Sequence, residues 1–384
     1  MHTDKNHIQR AIFQVFKQKV KPQKVLILLG ARRVGKTALI HRFLEEIPKN
    51  KYLLLNGEDQ KTIDAFEDRS IDNFKRIIGN QEYLVIDEAQ KIEDIGVKLK
   101  LIVDEIKNIR VIATGSSMFD LSNKLGEPLV GRENTLLLYP LSQMELNNLE
   151  NYLDTKSKLE ERLIFGAYPE LEKYESWDEK GDYLESIVNA YLLKDILEYQ
   201  GIKKADKIMD LLRLIAFQVG KEVSIDELAN NLKGISRNTV EIYLDLLSKV
   251  FIIYKVNGFS RNLRKEISKS SHWYFYDNGI KNAVLRNFNP LKLRMDKGDL
   301  WENYLMSERI KFNSYSKKRV NYYFWRTYDQ QELDLVEEEA GALRAFEFKW
   351  NKNKTPKAPG AWRKNYPNAS FEIIHPDNYL SFIC

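Results

Sequence analysis

Residues Gly30 to Thr37 read Gly-Ala-Arg-Arg-Val-Gly-Lys-Thr, which sets two glycines, a lysine and a threonine at the spacing G-x-x-x-x-G-K-T. They follow directly on the apolar run Val25-Leu26-Ile27-Leu28-Leu29. A chain that leaves a buried strand, wraps an anion and starts a helix needs this order. Gly30 and Gly35 supply the backbone angles that let successive N–H groups point at a phosphate. Lys36 brings a cation to the β- and γ-phosphates, Thr37 a hydroxyl to Mg²⁺, and the helix from Ala38 its positive N-terminal end. Ala31, Arg32, Arg33, Val34 and Ala38 complete the cradle through their backbone. No role is assigned to the side chains of Arg32 and Arg33, because variable loop positions of this kind face outward.

Phosphate binding becomes hydrolysis only with a second carboxylate strand. Tyr83-Leu84-Val85-Ile86 is such a strand, and it ends in Asp87-Glu88. Asp87 is suited to hold Mg²⁺ through water, and Glu88 to orient or deprotonate the attacking water. Arg110 to Ser117 forms another strand that delivers small hydroxyls to its end, where Thr114 or Ser116 either polarises the water or only caps the strand. Arg132, in Leu129-Val130-Gly131-Arg132, is a candidate for neutralising transition-state charge, in its own subunit or a neighbour's. The other reading of Arg132 is a surface cation.

These residues need a scaffold. Apolar strands at 25–29, 52–55, 83–86, 110–113 and 135–138 alternate with helical stretches, the pattern of a parallel α/β sheet. Ligands on such sheets bind beyond the carboxyl ends of the strands, where the loop, Asp87-Glu88 and Thr114-Ser116 all fall. Residues 1–142 are therefore expected to form the nucleotide-binding core, and 143–200 a helical lid broken at Phe165-Gly166-Ala167-Tyr168-Pro169-Glu170.

Residues 201–262 have the order of a winged helix-turn-helix. Helices start at Ser224 and, after the turn Lys233-Gly234-Ile235, at Ser236; a strand from Phe251 to Val256 follows, and Asn257-Gly258 turns the chain. Arg237 and Asn238 would lie at the exposed start of the recognition helix, and Arg261, Arg264 and Lys265 near the wing, so DNA is the partner this reading implies. A winged helix used for protein contacts is the alternative, and Glu241 counts for it. In residues 263–384, strands at 321–327, 332–336 and 343–350 place Glu347 and Lys349 on one face with Asp334 facing them. Such carboxylates hold Mg²⁺ or Mn²⁺ while the lysine neutralises a phosphodiester, with Glu302 completing the site. A cross-strand ion pair is the competing reading.

Bulk properties narrow the setting. Residues 1–200 hold 29 Lys/Arg against 33 Asp/Glu and residues 201–384 hold 31 against 22, so the net charges are −4 and +9. A polyanion would meet the second half. The single cysteine, Cys384, excludes an intramolecular disulfide and a cysteine-based zinc site, which fits a reducing cytoplasm. No apolar stretch approaches the roughly 18 to 20 residues that span a bilayer, so no membrane partner is expected. Oligomeric state is not legible.

The loop, Ile-Asp-Glu-Ala-Gln, Thr-Gly-Ser-Ser, Val-Gly-Arg and Tyr-Pro-Leu-Ser together resemble bacterial and archaeal AAA-type ATPases. In that family the ATPase is followed by a winged helix and a C-terminal domain of the PD-(D/E)XK nuclease fold. Phe165 to Glu170, Tyr274 to Gly279, Gly298 to Glu302, and Asp334 with Glu347-x-Lys349 match its later landmarks, and Gly166-Ala167 stands where it has two glycines. The resemblance implies ATP, with ADP as product, and Mg²⁺. It leaves two functions open: an ATP-driven machine acting on DNA, or a regulatory ATPase whose distal domains are interaction surfaces.

Overall fold

The computed structural model describes residues 8–116, 129–192, 205–260, 271–327 and 329–384. They fall into two compact units, Met1–Pro140 with Lys249–Phe251, and Leu141–Ser248 with Ile252–Cys384.

The first unit is built on five parallel strands, β1 (Val25–Leu29), β2 (Tyr52–Asn56), β3 (Tyr83–Asp87), β4 (Arg110–Gly115) and β5 (Glu133–Leu137), in the order β2-β3-β4-β1-β5. All five residues of β1 are buried. An unbroken Val/Leu/Ile run, with no alternation, is what a strand covered on both faces requires. From β1 the chain crosses to β2 at one edge, and from β4 it crosses back over β1 to β5 at the other. The carboxyl end of β1 therefore lies where the connections diverge, the place at which such sheets open a crevice.

The second unit carries a mixed six-stranded sheet: β6 (Ile253–Gly258), β7 (Ser271–Phe275), β8 (Asn321–Arg326), β9 (Glu332–Glu339), β10 (Ala342–Phe348) and β11 (Ser370–Ile374), in the order β11-β10-β9-β8-β6-β7. One local expectation is corrected here. Asn257 and Gly258 do not turn the chain; they are the last residues of β6 and pair in parallel with Tyr323 and Phe324. Turn preference is a local and weak signal, and ladders on both sides of β6 override it. The strand expected to end at Val256 thus runs on through the two residues expected as its turn.

The helices expected as a lid, among them Leu159–Phe165 and Trp177–Ser186, belong to the second unit. The break between them docks on the turn before the helix Asn278–Leu285. Ala167 N–H donates to Asp277 Oδ2 at 2.8 Å, Asn278 Nδ2 to the Leu163 carbonyl at 3.1 Å, and Asn282 Nδ2 to that of Ile164 at 2.7 Å. The landmark residues at 165–170 and 274–279 are therefore two halves of one buried structural contact. The long helix Lys297–Tyr315 packs against the same unit and carries Glu302. Among the described residues no helix is long and apolar enough to cross a membrane.

Candidate functional site

The loop after β1 is fixed from three sides. Gly35, at φ 96°, begins the helix Lys36–Leu44 in a left-handed conformation that other residues resist. At Gly30 an added Cβ would stand 2.1 Å from the Leu138 carbonyl oxygen, so the loop can lie this close to the end of β5 only with glycine. Arg10 supplies the third constraint: its guanidinium is buried and donates to the carbonyls of Val34 and Tyr139, both at 2.6 Å. This brace was invisible in the sequence, because Arg10 belongs to no motif and lies far from both partners along the chain. Lys36 is buried, with Nζ donating to Gly30 O at 2.8 Å and Ala31 O at 3.0 Å, which keeps the ammonium at the loop mouth. Ala31 and Val34 are buried, whereas Arg33, Thr37 and Ala38 are exposed.

The ends of β3 and β4 meet this loop. Thr37 Oγ1 donates to Asp87 Oδ2 at 2.7 Å, joining the two residues expected to hold Mg²⁺. A hydroxyl beside a carboxylate is a hard oxygen donor pair, and it fits that ion. Thr114 Oγ1 donates to the other oxygen, Asp87 Oδ1, and accepts from Glu88 N–H at 3.0 Å. Thr114 is fully buried, and its hydroxyl is committed to these two residues. Ser116 is buried as well and accepts from Gln90 Nε2 at 3.3 Å. A cavity of about 370 Å³ opens beside Thr37 and Asp87, lined also by His41, Asn56 and Asp59.

Arg132 is not brought to the loop of its own subunit. It immediately precedes β5, whose first residue pairs with Val25, so it sits at the amino end of the parallel sheet. Four residue steps along β1, about 13 Å at 3.3 Å per step, separate that end from the loop. Its Nε donates to Asp104 Oδ1 at 2.5 Å, with both side chains about a third or more exposed. Arg132→Ala is accordingly expected to leave the ATP turnover of dilute protein unchanged and to cost about 0–1 kcal/mol of stability in urea unfolding. A rate loss that appears only as protein concentration rises would assign it to a neighbouring copy.

Of the DNA-contact candidates, Arg261, Arg264 and Lys265 lie outside the described residues. Arg237, the first residue of the helix Arg237–Lys249, is occupied: it pairs with Asp226 and Glu241, each at 3.2 Å. Asn238 beside it is exposed. The signal for Asp226 was unavailable to spacing rules, because it comes from the preceding helix.

In the second unit Glu302, Asp334, Glu347 and Lys349 share one electrostatic neighbourhood. The β9–β10 register pairs Leu335 with Phe346, which sets Asp334 opposite Glu347 on the next step. Phe348 N–H donates to Asp334 Oδ2 at 2.6 Å, and Lys349 Nζ to Glu347 Oε1 at 2.5 Å. Burial, then the Glu347 carboxylate, push Asp334 up to about 7. Burial, then Asp334, push Glu302 well above the usual carboxylate range, while Tyr274 Oη donates to Glu302 Oε1 at 2.7 Å. Burial would lower Lys349, but Asp334 and Glu347 hold it above the usual lysine value. The donors have the charge for a divalent cation but not the grouping: no set of three or more Asp, Glu, His or Cys among the described residues is arranged to hold a metal.

Residues 22–147 match a family model described as an AAA domain. Residues 156–291 and 297–376 match two domains of unknown function, DUF8612 and DUF4143. Relatives include an uncharacterized protein of Methanocaldococcus jannaschii, 27% identical over 301 residues that cover 72% of this chain and 68% of that protein. Another, an uncharacterized protein of Mycobacterium tuberculosis, is 25% identical over 362 residues, covering 92% of this chain and 77% of its own. Among solved structures, AMPPCP-bound DnaA from Aquifex aeolicus aligns over 62% of this chain and 85% of that one at 17% identity, with a TM-score of 0.26, an overlap too slight to bear on the fold. The chain thus has an α/β fold with a parallel-sheet core, and a stretch of it is similar to the AAA domain.

Proposed function

We propose that the first unit binds ATP with Mg²⁺ and hydrolyses it, and that the second unit serves this ATPase as an interaction module. The observation that carries the first part is the hydrogen bond joining Thr37, at the start of the loop helix, to Asp87 at the end of β3, with Glu88 next in the chain. Bound nucleotide would bring the scissile phosphoanhydride and its negative charge, part of which Mg²⁺ would neutralise. Lys36 would hold the β- and γ-oxygens, Thr37 and Asp87 the ion, and Glu88 the proton of the attacking water.

The interaction-module reading of the second unit rests on two pairings. Arg237 is held by Asp226 and Glu241, and Lys349 by Glu347. The two charged candidates among the described residues, Arg237 and Lys349, are thereby already paired with carboxylates. A DNA-acting machine with a cutting site remains the rival account, motivated by the +9 balance of residues 201–384. Purified protein is assayed for Mg²⁺-dependent ATP hydrolysis with and without duplex DNA, across a salt series. ATP turnover that ignores DNA, with no duplex binding at low salt, is expected. Binding that weakens steeply with salt would instead require several Lys/Arg–phosphate contacts and sink the module reading.

A further inference from the structure

Of the two acids at the end of β3, it is Glu88 whose backbone is held in a left-handed conformation, at φ 51° and ψ 44°. Left-handed backbone is uncommon for a residue with a side chain and costs free energy unless neighbours enforce it. The end of β2 does so. Gly57 N–H donates to the Asp87 carbonyl at 2.8 Å, and a Cβ on Gly57 would stand 2.3 Å from the Glu88 carbonyl oxygen. The main chain of Glu88 is thus pinned, and the only freedom left to its carboxylate is rotation of the side chain.

That freedom is taken up by Gln90. Its Nε2 donates to Glu88 Oε2 at 2.6 Å and to Ser116 Oγ at 3.3 Å, so one buried amide ties the carboxylate to the end of β4. The two acids at the end of β3 are therefore each tethered to a different hydroxyl at the carboxyl end of β4: Asp87 directly to Thr114, and Glu88 through Gln90 to Ser116 just beyond it. We propose that Gln90 is a positioning residue of the ATPase centre: by holding Oε2 of Glu88 against Ser116 it leaves Oε1 aimed at one place, that of the attacking water. The inference rests on the ATP-hydrolysis reading and adds to it the device that orients the base. A carboxylate that must search rotamers reaches the aligned geometry only part of the time, and misplacement by about 1 Å can cost about 100-fold in rate.

The test uses the full chain, three single variants and one double variant. Gln90→Leu keeps the volume and removes the donor; Gln90→Glu keeps the shape and sets an anion against Glu88; Ser116→Ala removes the far acceptor. With ATP and Mg²⁺, Gln90→Leu is expected to lower kcat about tenfold and Gln90→Glu further, while KM and the affinity for a fluorescent ADP analogue stay within about twofold of wild type. In the double variant Gln90→Leu with Ser116→Ala, the losses should not add, because both act through one tether. Should the Gln90 variants fail to fold, Ser116→Ala alone decides, with a loss of kcat at unchanged KM expected. Unchanged or raised kcat in the folded variants, or a parallel loss of nucleotide affinity, overturns the role of Gln90. A wild-type chain that binds nucleotide but turns none over overturns the hydrolysis reading, and the role of Gln90 with it.

Discussion

Glu88→Gln is expected to bind ATP as wild type does and to hydrolyse it about 100-fold or more slowly, the usual span for loss of a general base. Gln retains the size and one acceptor of Glu but cannot take a proton from water. The amide of Gln90, which donates to Glu88 Oε2 at 2.6 Å, can still be received by the carbonyl of the new side chain. The fold and the loop should therefore be untouched, and the deficit should fall on kcat. Lys36→Ala is expected to fail earlier. Its ammonium sits on the Gly30 and Ala31 carbonyls at the loop mouth, and losing a charge-assisted bond to phosphate costs about 1.5–3 kcal/mol, or roughly 10- to 100-fold in affinity. Calorimetric titration with a non-hydrolysable ATP analogue, alongside phosphate-release kinetics, separates the two. Equal turnover in Glu88→Gln and wild type would remove Glu88 from catalysis.

What the sequence revealed and what it hid follow from the range of the interactions concerned. Strands expected at 25–29, 52–55, 83–86 and 110–113 coincide with β1 to β4 to within two residues, because a strand buried on both faces writes itself as an unbroken apolar run. The loop, Asp87, Glu88 and Thr37 were legible because anion binding imposes spacing as well as composition. Arg132 shows a different limit. Its type suited the chemistry, yet a residue just before a parallel strand lies at the edge opposite a loop that follows one, a constraint implicit in the order of the elements. Arg10 and the Asp226 partner of Arg237 had no signal at all, and Gln90 only its place in Ile-Asp-Glu-Ala-Gln, since each acts through contacts set by packing. The turn expected at Asn257-Gly258 failed for a related reason: the pair favours a turn locally, but β8 supplies a ladder that spacing rules do not see.

The carboxylate cluster of the second unit is expected to make the protein less stable as pH rises. Asp334 titrates at about 7 when folded, raised by burial and then by Glu347, against an ordinary value of 3.8. Between those values the folded chain keeps a proton that the unfolded chain has released, so stability falls as pH rises from about 4 to 7, and the deficit is complete above pH 7. Asp334→Asn removes the titration while its amide oxygen still accepts from the Phe348 N–H. At about 1.4 kcal/mol per pKa unit, a rise from 3.8 to about 7 is worth at most about 4 kcal/mol, and the gain at pH 8 should be about 1–4 kcal/mol. At pH 4 it should vanish. Urea unfolding at pH 4, 6 and 8 measures this directly. A loss of stability at pH 8 would mean that attraction to Lys349 outweighs burial and repulsion, as in an ordinary buried ion pair that suffers when one partner is removed. Mg²⁺ or Mn²⁺ discriminates once more: an ion held by Asp334 and Glu347 would raise the stability of wild type at pH 8 and leave Asp334→Asn unmoved. That result, together with metal-dependent cutting of DNA lost in the same variant, would restore the nuclease account against the interaction module favoured by the Lys349–Glu347 pair.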